Sequence, residues 1–386
     1  MIPLIKDTIN KNDVDRLIEW LKTYPRLTMG KLTREYESQW AQKIGSKYSV
    51  FVNSGSSANL MMIYCLLEMG YIKTGDKVVL PAVSWSTDLA PLIQLGLKPV
   101  LCDCNMEDLS IDLEHFKQIV KKDKPRVLLL VSVLGMVPDM DTICSICDEN
   151  DIILLEDSCE SLGSKYKDKD IGTFGLMSSF STYFGHHIST IEGGMICTDD
   201  RKVYNVLKGI RSHGWDRDMD PDIQQELRDK YHIENEFDAL YRFYHFGFNL
   251  RGTDLQSFLG IDQLSKLDDV VQKRNRNYNL YNKLIKSSSW KPQSSSDDVY
   301  ISNFAYPIIN EKRDRIVEEL IKNKIETRPL ICGSIGRQPF WIKRYGLSNL
   351  KNADLVHDCG LYLPNNHEIT EEEIVFVCDI VNSCID

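Results

Sequence analysis

Four short stretches of the chain concentrate groups able to bind an anion, stack on a planar ring and move protons. Asn53-Ser-Gly-Ser-Ser-Ala-Asn59 follows an apolar strand and opens a helix. Unpaired backbone N–H groups and the helix dipole attract phosphate at such a place, which makes Gly55 and Ser56 its candidate ligands. Pro81-Ala-Val-Ser-Trp-Ser-Thr87 sets Trp85 just after a strand, where its face can stack on a heteroaromatic ring. Ile152-Ile-Leu-Leu-Glu-Asp-Ser-Cys-Glu160 ends an apolar strand on Glu156 and Asp157, with Glu160 three residues on. A carboxylate there can hold a ring nitrogen protonated and keep the ring an electron acceptor. The stretch from Ser178 to Gly194 brings Ser181, the paired imidazoles His186 and His187, and Glu192-Gly-Gly194. An imidazole titrates near neutrality and suits proton transfer.

Each stretch also has a plain structural reading. A Gly/Ser turn caps many helices without binding anything, Trp85 can belong to a core, and Asp157 can be a helix N-cap. One imidazole can simply hydrogen-bond within the core, and that reading is given to His187.

The elements that must position these groups alternate in kind. Apolar runs at Tyr48–Val52, Lys77–Leu80, Pro99–Asp103, Arg126–Val133 and Asp151–Leu155 are separated by stretches able to hold crossover helices. The pattern predicts a mostly parallel α/β sheet covered on both faces, with ligands bound beyond the carboxyl ends of its strands. After Thr253 a helical pattern runs from Leu255 toward Ile285, and the Ser-rich stretch Ser287–Ser296 reads as loop. A strand at Tyr300–Ile309, a helix at Arg313–Lys322, a strand at Ile325–Arg328 and a helix at Glu371–Cys384 suggest a small α+β unit. The expected division is a large domain over 1–252 and a small C-terminal α+β domain over 253–386. Asp216–Glu236 is polar, contains Pro221 and reads as a surface excursion or lid.

With 386 residues, 42% of them apolar and 26% charged, the chain can bury the core of a two-domain enzyme protomer. A net charge of −10 speaks against a nucleic-acid surface. The N-terminus becomes charged before any signal-peptide core forms, and no apolar run suits a membrane span, so the cytoplasm is the expected location. The eleven cysteines include two close pairs, Cys102/Cys104 and Cys144/Cys147, with no second pair at zinc-site spacing; they read as reduced structural thiols, and no metal is expected.

Taken together, the order and spacing of the motifs resemble the DegT/DnrJ/EryC1/StrS family of sugar aminotransferases. That family's pattern places a Ser five positions before a catalytic Lys and Glu-Gly-Gly six positions after it; Ser181, His186 and Glu192 fit the frame. Thr28-Met-Gly30 and Gly247-Phe-Asn-Leu-Arg251 extend the resemblance over nearly the whole chain. It implies a fold-type I pyridoxal-phosphate (PLP) enzyme, with Gly55, Ser56 and Ser181 on the cofactor phosphate, Trp85 stacked on the ring, Asp157 at its nitrogen and Glu160 in the same cofactor site. It also implies a homodimer with active sites at the interface, to which Asn249 comes from the partner subunit. The chain departs at one position: the lysine that condenses with the cofactor aldehyde is absent, and His186 stands there.

Imidazole moves protons but forms no stable imine, so noncovalent pyridoxamine phosphate (PMP) becomes the expected resting form. Phe184-Gly-His-His-Ile-Ser-Thr-Ile-Glu-Gly-Gly194 and Arg211-Ser-His-Gly-Trp-Asp-Arg217 resemble the branch of the family that removes the C3 hydroxyl of GDP-4-keto-6-deoxy sugars. That branch implies His186 as the base acting at C4′ and His213 as a second active-site histidine, ammonia release, and L-glutamate as the source that restores PMP. Arg217 and Arg328 are candidates for diphosphate or sugar contacts, with surface ion pairs as their plain alternative. A related branch acting on CDP-sugars uses an iron–sulfur cluster and a reductase; the cysteines after His186 include no closely spaced group, so neither is expected here. The alternatives are a 4-aminotransferase whose lysine was replaced and a noncatalytic binding homologue.

Overall fold

The computed structural model describes residues 1–286, 290 and 298–385. Seven strands make the central sheet: β1 (Tyr48–Val52), β2 (Lys77–Pro81), β3 (Lys98–Cys102), β4 (Val127–Val131), β5 (Ile153–Asp157), and, after the two-residue strands β6 (Lys165–Tyr166) and β7 (Lys169–Asp170), β8 (Met177–Ser181) and β9 (Gly194–Thr198). Their order is β1-β9-β8-β5-β4-β2-β3. Neighbours from β3 to β8 pair parallel, while β9 runs antiparallel to both β8 and β1. The mostly parallel α/β sheet predicted from the sequence is therefore present.

Side chains of β4 show why its sequence is continuously apolar. Leu128 and Leu130 enter the core cluster on one face, and Val127, Leu129 and Val131 enter the cluster on the other. Both faces of a parallel sheet are covered, so neither set of positions can be polar. The strand ends at Val131, before the expected Val133, because Val133–Gly135 turns into a short 3-10 segment with Leu134 at φ +53°.

The Asp254–Leu284 helix starts where the sequence places it. Thr253 and Gln256 form a reciprocal cap, Gln256 N donating to Thr253 Oγ1 at 3.3 Å and Thr253 N to Gln256 Oε1 at 3.0 Å. Beyond it, β10 (Val299–Tyr300) pairs with β6, and β11 (Tyr306–Ile309), β12 (Arg328–Pro329) and β13 (Gly360–Leu363) form a small antiparallel sheet ordered β11-β13-β12. The Arg313–Lys322 and Glu371–Ile385 helices pack on each other and close this unit. The strand expected over Tyr300–Ile309 is broken at 301–305. There Phe304 N and Asn303 Nδ2 both donate to Leu134 O, at 2.9 and 2.8 Å, instead of joining a ladder. Of the Ser287–Ser296 stretch only Trp290 is among the described residues, and it bridges to Ile309. Within 216–236 the structure has a helix, Pro221–Lys230, with no buried residue and proline in its first turn. All eleven cysteines are free thiols, and no helix among the described residues is long and apolar enough to cross a membrane.

Candidate active site

The carboxyl ends of β1, β2, β5 and β8 open on one cavity of about 460 Å³, a size suited to a cofactor. Gly55, Ser56, Trp85, Asp157, Glu160, Ser181 and His186 all line it. Its phosphate end is the start of the Gly55–Glu68 helix, capped by Ser54, whose Oγ accepts from Ser57 N at 3.1 Å. A Cβ on Gly55 would lie 2.8 Å from Ser181 Cβ and 2.9 Å from Cys159 Sγ, so only glycine lets the helix start and the end of β8 come this close. Ser56 Oγ donates to Thr87 Oγ1 at 3.1 Å, and with Ser181 three hydroxyls border the helix N-terminus. First-turn N–H groups beside a ring of hydroxyls fit a phosphate.

Trp85 stands at the cavity wall, 54% exposed, and is not a core residue. Asp157 is buried at the end of β5, its Oδ1 accepting from Cys159 N at 2.9 Å and its Oδ2 from Asn59 Nδ2 at 2.5 Å. Glu156 is not on the same face. It turns to the other side of the sheet, where its carboxylate accepts from the N–H groups of Gly172, Phe174 and Gly175 at 2.7–2.8 Å, a structural task. Glu160 accepts from Leu134 N at 2.7 Å. Burial pushes its carboxyl up to about 8, with the charge of Asp157 adding to the shift, so near neutral pH Glu160 holds a proton.

The two histidines separate cleanly. His187 is fully buried and its Nε2 lies 3.1 Å from Ser302 O. His186 lies against the cavity, its ring 5.2 Å from that of Phe304, and its buried Nδ1 has no hydrogen-bond partner among the described residues. Burial lowers its pKa to about 4, against the opposing pull of Asp157, leaving the imidazole neutral and able to accept a proton.

His213, Arg217 and Asn249 do not reach this cavity. They form a second cluster in which Ser212 bridges to Asn249, Arg251 Nε donates to Asn249 Oδ1 at 2.9 Å, and Arg251 Nη2 lies 3.4 Å from His213 Nε2. The Arg217 guanidinium lies 4.1 Å from the Trp215 ring and 4.7 Å from that of Tyr241. Phe243, whose ring stacks on that of Trp215, and Tyr241 are 57% and 69% exposed. Arg328 is exposed on β12, paired across to Tyr362, whose ring lines the cavity. The Arg217 guanidinium donates to Leu240 O, and no ion pair of Arg217 or Arg328 is found among the described residues.

Sequence reasoning missed Asn59, Thr87, Asp88, Phe304 and Tyr362, which also line the cavity. Asn59 is readable in retrospect as one helical turn beyond Gly55, and Asp88 as the third residue after Trp85 at a helix start. Phe304 and Tyr362 come from the C-terminal part of the chain with no motif around them.

The model of the DegT/DnrJ/EryC1/StrS aminotransferase family matches residues 7–382. The chain is 35% identical over 363 residues to GDP-4-keto-6-deoxy-D-mannose 3-dehydratase of Escherichia coli O55:H7, covering 92% of each chain. It is 35% identical over 381 residues to the enzyme of that name from Yersinia pseudotuberculosis, covering 96% of this chain and 95% of the relative. A crystal structure of GDP-4-keto-6-deoxymannose-3-dehydratase with a trapped PLP–glutamate geminal diamine superposes with a TM-score of 0.90 at 33% identity, over 99% of this chain and 100% of that one. A family model spanning almost every residue, over a cavity built from the same motifs, shows that the chain belongs to the DegT/DnrJ/EryC1/StrS aminotransferase family.

Proposed function

We propose that the protein is a PLP/PMP-dependent dehydratase that removes the C3 hydroxyl of a GDP-4-keto-6-deoxy sugar, using L-glutamate and releasing ammonia. The observation that carries this reading is His186 standing where the family has its lysine, in a cavity whose other cofactor-facing groups are intact. Bound there, PMP supplies an amine for the sugar's 4-keto carbon and a ring that accepts electrons. Gly55, Ser56 and Ser181 hold its phosphate, Trp85 covers one ring face, Asp157 keeps the ring nitrogen protonated, and Glu160 closes the side of the site. His186 moves the proton at C4′. A side chain that cannot bond to the aldehyde leaves the amine form free, and with PMP joined to the sugar's C4, loss of the C4′ proton to His186 would send electrons through that linkage to C4, from which the neighbouring C3 hydroxyl could leave as water.

A homodimer completes the site in this reading. His213, Arg217 and Asn249 sit on an exposed aromatic surface away from their own chain's cavity, where a second copy can bring them to the nucleotide-sugar end of its partner's cavity. Arg328, beside Tyr362, is already near its own. The test is a balance of nitrogen. Incubated with PLP, glutamate and the GDP-4-keto-6-deoxy sugar, the protein yields equimolar 2-oxoglutarate and ammonia as sugar is consumed. 2-Oxoglutarate without ammonia would mark the 4-aminotransferase alternative, and neither product would mark a noncatalytic binding protein.

A further inference from the structure

A second carboxyl group sits beside Asp157. Asp88 is fully buried, at the start of the Ser86–Gln94 helix. Its Oδ1 accepts from Asn59 Nδ2 at 2.8 Å, and the same amide nitrogen donates to Asp157 Oδ2 at 2.5 Å. Asn59 is held in turn by Ser179 Oγ, which donates to Asn59 Oδ1 at 2.5 Å. The other oxygen of Asp88 accepts from Trp85 N at 2.9 Å, while Asp88 N donates back to Trp85 O at 3.1 Å. One side chain thus ties the residue whose indole covers the ring to the amide that orients the acid at the ring nitrogen.

The charges around it decide its protonation state. Among the described residues, Asp157, Glu160, Cys159 and Cys332 are the titratable groups that interact electrostatically with Asp88, and none is a cation. Two buried carboxyls bridged by one amide cannot both ionise there. In the cofactor reading Asp157 is the one of the two that lies where the ring nitrogen would sit, while Asp88 is tied to the Trp85 backbone, so the proton belongs on Asp88. Burial and the neighbouring Asp157 both push the Asp88 carboxyl well above its usual range, in agreement with this.

We propose that Asp88 is a positioning residue, a neutral carboxyl that locks Asp157 and Trp85 into one unit through Asn59 and the Trp85 backbone. This rests on the reading that the cavity holds the B6 cofactor. The inference concerns what keeps that cofactor's two ring contacts in register, and the proton shared by the pair is what an amide can imitate. An asparagine in place of Asp88 keeps an acceptor for Trp85 N and can turn its NH2 toward Asp157, giving up only the bond that Asp88 Oδ1 accepts from Asn59 Nδ2. An alanine leaves Trp85 N and one Asn59 hydrogen unpaired in a buried place.

The experiment compares Asp88→Asn and Asp88→Ala with the parent in PLP affinity by equilibrium dialysis, absorbance of the bound cofactor, and quenching of tryptophan emission. The thermal midpoint without cofactor checks that each is folded. The Asn variant is expected within about threefold of the parent affinity, with the parental absorbance maximum. The Ala variant is expected roughly tenfold or more weaker, with a shifted maximum and altered quenching. An Ala variant indistinguishable from the parent, or an Asn variant as defective as Ala, would overturn the proposal. If the Ala variant does not fold, the Asn variant decides alone: parental affinity and spectrum between about pH 6 and 9 uphold a neutral Asp88, and a tenfold loss overturns it. A parent that binds no PLP overturns the cofactor reading itself and this proposal with it, an outcome distinct from the two above.

Discussion

In the proposed reaction His186 is the side chain that decides the outcome. With its pKa lowered to about 4 by burial, the imidazole is a base throughout the neutral range, so kcat/KM is expected to stay level as pH falls from about 8 to 5 before an acid limb sets in. An acid limb centred near 6.5 in the pH–rate profile would place the base elsewhere. His186→Asn is expected to lose roughly 100-fold or more in kcat while keeping PLP affinity. His186→Lys is expected to bond the cofactor aldehyde, seen as a new absorbance band. Glu160 supplies a stability test with the opposite sign. Its carboxyl, raised to about 8, keeps in the folded state a proton that the unfolded chain gives up near 4.5. That retention costs stability increasingly as pH rises through this window. Without cofactor, Glu160→Gln is expected to melt above the parent by a margin that widens from about pH 4.5 to 8, and a constant margin would contradict the shift. The position of His186 was legible because Ser181 and Glu192 fix the frame around it. Asp88 was not, since its importance lies in bonds to two other elements and not in any spacing along the chain.

At the scale of elements, the site depends on how closely a helix start approaches a strand end. Gly55→Ala puts a methyl group into Ser181 and Cys159, so weaker PLP binding with a modest loss of thermal stability is the expected outcome of dialysis and melting. Glu156→Ala strips the partner from three backbone N–H groups at Gly172, Phe174 and Gly175 and is expected to cost about 3 kcal/mol or more in denaturant unfolding. Five of the seven strands of the sheet were legible from their apolar runs to within two residues at each end, whereas β8 and β9 lie in a stretch read for its polar groups. The alternation that sends Asp157 to the cavity and Glu156 to the opposite face follows from strand geometry, yet sequence reading presented both acids together. The 301–305 break was hidden because Ile301, Phe304 and Ala305 have strand-like character. What ends the strand is hydrogen bonding to Leu134 and, through Ser302 O, proximity to His187 and Ser164, contacts made across more than a hundred residues.

The whole molecule raises the question of which chain completes which site. The family resemblance assigns Asn249 to the partner's site but does not say whose cavity His213 and Arg217 serve, and none of the three lines the cavity of its own chain. If two copies complete each other, mixing inactive His186→Asn and His213→Asn proteins under exchanging conditions restores activity, up to about a quarter of the parent's, because half the dimers then carry one intact site. No recovery despite demonstrated subunit exchange would confine each site to one chain. The central claim, that histidine in the lysine's place turns an amination into a deoxygenation, meets its most direct test in the NMR spectrum of the sugar product. With PLP, glutamate and a GDP-4-keto-6-deoxy sugar, the account predicts a methylene at C3 and a carbonyl at C4, whereas a product with its C3 oxygen retained and an amine at C4 would contradict it.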